Sequence, residues 1–318
     1  MPQPLVFVAL ALFSSTALPQ AYPSKPVRIV VPFAAGGAVD LLARMVAPKL
    51  SDSFAQPVLV DNRPGAGGNI GAEMVAKAAP DGYTLLLAPV GQATLPALYR
   101  KLPYSPTDLA AVTQLVGTAF AAVVTPKLPA ASLKDLLALA RSKPGGLNYG
   151  STGIGTAPHL AMELVRISAG VDIAHVPYKG DAPLNAALMA GEVETAIVPT
   201  STALPFINAG KIRTVGVTGA RRLAAMPDVP TMIEAGLAGY EFTSWQGLFA
   251  PAKTPREILA RVHRDTAAAL NSPDVRDRLA TQGAEVVAST PDEFDAKYKA
   301  EISKFARIVR EAKIPLQD

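Results

Sequence analysis

The sequence predicts an α/β fold in two lobes, each a mainly parallel sheet flanked by helices. Three observations carry this. Short apolar runs rich in β-branched residues alternate with segments of helical periodicity. The chain has 318 residues, which suits two lobes of about 150 each. A unit of strand, glycine turn and helix occurs twice, over residues 27–47 and 147–166.

Taken in order, "VRIVVPF" reads as a buried strand. "VDLLARMVAPKLSDSF" places Leu41, Leu42, Met45, Val46 and Leu50 on one helical stripe. "PVLVDNRP" is a strand stopped by Pro-Gly, "NIGAEMVAKAAPDGY" a helix closed by Asp81-Gly82, and "TLLLAPV" a strand. This βαβαβ order is the signature of a parallel sheet covered by helices. "SLKDLLALARSKPGG" is a helix with Ser132 as N-cap. "LNYGSTGIGTAPHLAMELVRISAG" is strand, turn and helix, and "DIAHVPYKG" is a strand. "DAPLNAALMAGEVETAIVPTS" gives helix then strand, and "ALPFINAGKIRTVGVTG" repeats that order. From Thr254 to Lys313 the chain reads as largely helical. Two of its helices open on Thr-Pro, at Thr254 and Thr290, an N-cap followed by proline at the first helical position.

Hydrophobic residues make up 49% and charged residues 18%, so a large core is available and the composition argues against wholesale disorder. The net charge of +4 is mild and there is no Lys/Arg block, which argues against nucleic acid. With no cysteine there is neither a disulfide framework nor thiolate chemistry. The apolar run Leu5 to Phe13 is shorter than the ~20 residues that span a bilayer. Small residues follow, with Ser15 and Ala17 at −3 and −1 of a possible cut. Residues 1–21 are therefore expected to be an export signal, cleaved between Ala17 and Ala21, although no Lys or Arg precedes the apolar run. No later stretch is long enough for membrane insertion, and a monomeric periplasmic protein is expected.

The glycine turns raise the functional question. A helix N-terminus carries unpaired N–H groups and about half a positive charge, so anions bind there. Glycine lets the main chain approach a ligand closely. "PFAAGGAVD" and "GSTGIGTAPH" each place small residues at such a helix start. Either turn alone could be a plain connection; two facing turns would give a small anion two sets of donors. Nucleotide fingerprints do not fit. "GSTGIG" is not G-x-G-x-x-G, "RPGAGGNIG" has isoleucine at the last glycine position, and no P-loop motif exists.

Catalytic motifs are also missing: no H-E-x-x-H and no G-x-S-x-G. His159 sits in the first turn of its helix, as a ligand contact or as a cap. His175, in a strand, reads as structural, and His263, in a charged helix, as solvated. No pair of them has metal-ligand spacing, so neither metal nor cofactor is expected. Asp40 could touch a ligand or pair with the helix dipole. Lys179 could pair with a second carboxylate or lie in solvent, and Arg63 is expected to brace its loop.

Six segments carry a family resemblance: "YPSKPVRIVVPFAAGGAVDLLAR", "QPVLVDNRPGAGGNIGAEMVAKAAPDGYTLLL", "PALYRKLPYSPTDL", "LNYGSTGIGTAPHLAMEL", "HVPYKGDAP" and "RRLAAMPDVPTMIEAGLAGYE". In order and spacing they resemble the Bug family, periplasmic solute receptors of tripartite tricarboxylate transporters. The resemblance runs from Tyr22 to the C-terminus. It implies a type II periplasmic-binding-protein fold, with lobe I over residues 22–122 plus 245–318 and lobe II over 123–244. It implies no catalysis, and a small organic carboxylate held mainly by backbone amides and bridging waters. Carried over, the ligand residues are Phe33, Ala34, Ala35, Gly36 and Gly37 in the first turn. In the second they are Ser151, Thr152, Gly153, Gly155 and Thr156, with His159 beside them. Gly91, Gln92 and Thr94 after the third strand, and Tyr178 and Lys179 of "PYKG", are expected to face the cleft. Trp245 stands where the family's chain crosses back between lobes. Its neighbours Ser244, Gln246 and Gly247 are small or polar, which suits a cleft wall better than a core. The chain departs from the family at Ala34-Ala35, where a proline is frequent. It also has Asn185, Ala186 and Ala187 where many members carry an aspartate. The implied partner is a tripartite membrane carrier. The alternatives are an orphan sensory receptor and a two-lobed enzyme acting on an organic acid.

Overall fold

The computed structural model describes residues 22–281 and 283–317. The expected export signal lies outside them. Its elements are β1 (Val27–Val31), α1 (Ala38–Phe54), β2 (Val58–Asn62), α2 (Asn69–Ala76), β3 (Thr84–Pro89), α3 (Gly91–Leu98) and β4 (Leu109–Val124). Then come α4 (Leu133–Ser142), β5 (Asn148–Ser151), α5 (Ala157–Ala169), β6 (Ala174–Pro177), α6 (Asp181–Ala190), β7 (Thr195–Pro199), α7 (Thr200–Asn208) and β8 (Arg213–Val217). The chain finishes with β9 (Thr243–Pro251), α8 (Arg256–Leu270), α9 (Pro273–Thr281), β10 (Glu285–Val286) and α10 (Pro291–Glu311).

The strands form two half-sheets that share one long strand. In the first, β2, β1 and β3 are parallel, and β9 runs antiparallel between β3 and β4. In the second, β6, β5 and β7 are parallel, and β4 runs antiparallel to both β7 and β8. β4 pairs β9 from Leu109 to Ala119 and pairs β7 from Phe120 to Val124. This is the two-lobed α/β architecture that the sequence predicts. β4 itself is not announced by periodicity. "LAAVTQLVGTAFAAVV" is apolar nearly throughout, as a strand buried on both faces must be, and a buried helix would read the same.

Side-chain alternation divides the core. Val27, Ile29 and Val31 of β1 and Leu85 and Leu87 of β3 meet α1 and Val262 of α8. Val30, Leu86 and Ala88 face the other way, into a cluster that continues through α3 and α10 to Leu160 and Leu164 of α5. Burying each such Leu or Ile contributes about 1.5–3 kcal/mol. Two caps form as the sequence predicts: Ser132 and Thr290 each accept an N–H and close a capping box, with Asp135 and Glu293. Thr254 does not. Its hydroxyl is buried without a partner, and α8 opens at Arg256 after Pro255 with no side-chain cap. Proline fixes the entry of this helix by its φ alone.

Candidate functional site

Both glycine turns follow the C-terminal end of a parallel strand, where ligands of α/β sheets bind. They share a geometry. In the first, Gly36 has φ +88°, and its N–H donates to Asp40 Oδ2 at 2.8 Å, four residues on in the first turn of α1. In the second, Gly155 has φ +76°, and its N–H donates to His159 Nδ1 at 2.9 Å, again four residues on, in the first turn of α5. Only glycine holds such φ values without strain. The following residues, Gly37 and Thr156, are the extended N-caps of α1 and α5.

Asp40 is buried and fully used. Besides Gly36 it accepts Arg44 Nε at 2.9 and 3.0 Å and Asn62 Nδ2 at 2.9 Å, while Asn62 Nδ2 also reaches Phe33 O at 3.0 Å. The hydrogen bonds from Arg44, joined by those from Gly36 and Asn62, outweigh burial and hold its carboxyl down at about 2. It therefore locks the turn, its oxygens engaged by protein donors. The Ala34 and Ala35 N–H groups are engaged by no acceptor among the described residues, and both residues are exposed.

In the second turn Ser151 Oγ accepts Gly153 N–H at 3.1 Å and lies 2.7 Å from His175 Nε2. Thr152 Oγ1 donates to Thr156 Oγ1, which donates to Gly153 O at 2.8 Å. The N–H groups of Thr152 and Ile154 have no acceptor among the described residues. The His159 and His175 rings stack with centroids 4.1 Å apart, and Tyr149 lies near-parallel against both, 4.8 Å from His175 and 6.3 Å from His159. Burial, with His175 and Arg166 nearby, depresses His159 to about 3; His175 is also lowered, by burial first. Both rings are neutral at ordinary pH.

A chain of contacts joins the turns. A Cβ on Gly155 would lie 3.0 Å from Leu98 of α3, and one on Gly67 would lie 3.1 Å from Tyr99 Oη and 3.7 Å from Leu95. One on Gly68 would lie 3.5 Å from Phe33. The second turn thus abuts α3 of the other lobe, and the glycine segment before α2 packs Phe33 beside the first.

Other expected site residues sit differently. Gly91, Gln92 and Thr94 belong to the first turns of α3. Gln92 and Thr94 are buried, and Gln92 Nε2 donates to Tyr104 Oη at 2.7 Å, so this amide is tied into the core and not presented to a cleft. Tyr178 is half-buried, its N–H on Ser151 O at 2.9 Å and its ring against Gly150. Lys179 is exposed and pairs with no acid among the described residues. Trp245 is no cleft wall. It is 1% exposed, packed against Phe249, Phe294 and Tyr298, with its indole N–H on Glu301. Its small neighbours make room for α10: a Cβ on Gly247 would sit 2.0 Å from Phe294 Cζ. His263 is half-buried rather than solvated, its Nδ1 enclosed without a partner. Arg63 pairs with Asp61 at 3.0 Å.

Several residues of the site escape a sequence reading. Arg44 lies at i+4 from Asp40 on a helix, a visible signal. Asn62, Tyr149 and Glu163 carry none, because their partners are remote in sequence. Thr200, after β7, stands where the glycine turn stands after β5; its hydroxyl donates to Ala119 O of β4 beside a cavity of about 430 Å³ between α7 and β10.

Ser151 and His175 resemble half of a hydrolase triad, but Ser151 is fully buried and Glu163 hydrogen-bonds Tyr149 and Arg166 instead of His175. Comparison with known proteins decides the class. Residues 42–314 match the tripartite tricarboxylate transporter family receptor. The chain belongs to that family. It is a family of binding receptors, not of enzymes. Bordetella pertussis BugT is 36% identical over 313 residues, covering 96% of this chain and 95% of BugT. An R. palustris structure with adipate is 37% identical at a TM-score of 0.75, covering 93% of this chain and all of that one. Rhodopseudomonas palustris MatC with bound malate is 33% identical at 0.71, covering 91% of this chain and all of MatC. Among the described residues, no helix of this receptor is long and apolar enough to cross a membrane.

The locks of the two turns predict an acid-labile fold. A histidine held neutral from 6.5 down to about 3 costs stability once the unfolded chain protonates it, so stability falls as pH drops from 6.5 toward 3. Asp40, held at about 2 from 3.8, contributes stability above 3.8 that is lost on the way to pH 2. Thermal melts across pH should show His159→Asn flattening the upper part of this slope and Asp40→Asn the lower. Stability that rises as pH falls from 6.5 to 4 contradicts the histidine assignment, and stability that does not fall between pH 3.8 and 2 contradicts that of Asp40.

Proposed function

We propose that this chain is an exported periplasmic receptor for a small organic carboxylate, and that it delivers its ligand to a tripartite carrier. The observation that carries the reading is the pair of equivalent turns, each locked by a side chain at i+4 and each offering unpaired main-chain N–H groups at a helix start. The carboxylate is held between residues 33–37 and 151–156. Relatives with adipate and malate support this ligand class. Residues 22–122 with 245–318 act as lobe I and 123–244 as lobe II, and they close by flexing where β4 and β9 cross.

Calorimetry of the native protein against mono-, di- and tricarboxylates tests the reading, with mass spectrometry of co-purified small molecules to find the natural ligand. Saturable binding with the ligand recovered unchanged is expected; a new product sinks it. If backbone donors dominate, Lys179→Ala weakens binding by only about 1–2 kcal/mol, one charge-assisted hydrogen bond. Complete loss in that variant means a side-chain charge holds the anion.

A further inference from the structure

The two turns are locked by different chemistry. In the first the lock is a carboxylate neutralised by Arg44. In the second it is an imidazole whose Nδ1 accepts Gly155 N–H, so its proton is on Nε2. The His175 ring lies 4.1 Å away, 13° from parallel, and its own Nε2 meets Ser151 Oγ, which in turn accepts Gly153 N–H. The two rings therefore grip the turn at both ends, His159 at Gly155 and His175 at Ser151 and Gly153. Tyr149 packs near-parallel to both rings, 4.8 Å from His175 and 6.3 Å from His159, and its hydroxyl donates to Glu163, which Arg166 clamps through two 2.8 Å contacts.

We propose that His159 and His175 are the positioning residues of the second turn, and that they aim its free main-chain N–H groups at the ligand carboxylate. This rests on the receptor reading above. The residues touch the turn and not the ligand. His159 is 4% exposed, and its acceptor nitrogen is spent on Gly155. A neutral lock is the one that fits here. An aspartate at position 159 would put a second buried carboxylate beside Glu163 and near the proposed anion, where the nearby Arg166 is already taken up by Glu163 and Asp172. A charged imidazolium would lose its acceptor and repel Arg166. The charged groups facing the stack are Glu163 and Arg166 of α5. Asp172 pairs with Arg166 from beyond the helix, and Glu311 and Lys313 approach from the α10 side across a cavity of about 330 Å³.

Two substitutions separate the lock from the packing. His159→Phe keeps an aromatic ring in the stack and removes the acceptor. His159→Asn removes the ring and restores an acceptor, its Oδ1 standing in for Nδ1. Native-state hydrogen exchange of the ligand-free, nitrogen-15-labelled protein reads the Gly155 amide directly. Its protection should drop about tenfold in His159→Phe, the loss of one hydrogen bond, and return to within about threefold of wild type in His159→Asn. Calorimetry with adipate should follow the same order. Unchanged Gly155 exchange in His159→Phe overturns the proposal, as does a His159→Asn protein as unprotected as the phenylalanine variant. If His159→Phe fails to fold, the asparagine variant decides alone: wild-type protection supports the lock and lost protection refutes it. Equal adipate affinity in wild type and both variants overturns the link to the ligand. A wild-type protein that ignores adipate counts against that acid as ligand, and the exchange measurement still judges the lock.

Discussion

Gly37→Val should yield a folded protein whose carboxylate affinity is down by about a hundredfold. The folded half of this expectation comes from local geometry. Gly37 has φ −79° and ψ 168°, a region open to any residue, and the nearest atom to a Cβ there is Ala34 O at 3.7 Å. The affinity half comes from position. Gly37 is the N-cap of α1, so a branched side chain stands over the N–H groups proposed to face the anion. Losing contacts of this charge-assisted kind costs about 3 kcal/mol, or two factors of ten. Gly36 is a poorer probe. At φ +88° a valine is strained by about 1–3 kcal/mol, and the N–H that Asp40 needs moves with it. Calorimetry with a circular-dichroism melt checks the expectation. Unchanged affinity in a well-folded Gly37→Val protein means that the glycine serves only the turn.

Trp245→Ala should cost about 3–5 kcal/mol of stability, the usual range for deleting a buried tryptophan. The ring closes β9 onto α10, edge-on to Phe294 at 5.1 Å and to Tyr298 at 6.3 Å. Its N–H also serves Glu301, which is 5% exposed and otherwise meets Lys304 at 3.2 Å and Lys297 at 3.8 Å. Removing the indole leaves a cavity and takes one donor from a buried carboxylate. Trp245→Phe separates the two effects, keeping most of the packing and losing about 1–3 kcal/mol for the unsatisfied acceptor. Urea denaturation measures both. Emission from this single tryptophan should resist quenching by acrylamide, because the ring is enclosed. Ready quenching, or a Trp245→Ala protein of wild-type stability, puts the ring at the surface.

The proposed lobe closure sets how these variants are compared. β9 carries Trp245 and pairs with β4, so loosening its grip on α10 acts on the segment that would flex in the proposed closure. Under that proposal Trp245 variants change affinity without touching ligand, whereas Gly37→Val acts at the proposed anion site. Measuring stability and affinity on every variant separates the two routes.

Much of the fold was legible because its signals are local. Apolar β-branched runs, helical stripes and the caps at Ser132 and Thr290 are decided within a few residues, by side-chain direction and by unpaired N–H groups. Both glycine turns and their anion-ready helix starts could be read for the same reason; Arg44, one helical turn on from Asp40, carries an equally local signal that the reading of Asp40 as a dipole or ligand partner left out. Tertiary structure alone decided the rest. Asn62 joins the Asp40 lock from 22 residues away, His175 reaches Ser151 across 24, and Trp245 meets Glu301 across 56. No periodicity encodes such partners, because they are set by which strands neighbour one another. The same holds for β4, whose uniform apolar run becomes a strand shared by two half-sheets only when β7, β8 and β9 supply its hydrogen bonds. Composition around Trp245 suggested a cleft wall because small neighbours look the same in sequence whether they border water or a packed helix, and only the arrival of Phe294 distinguishes the two.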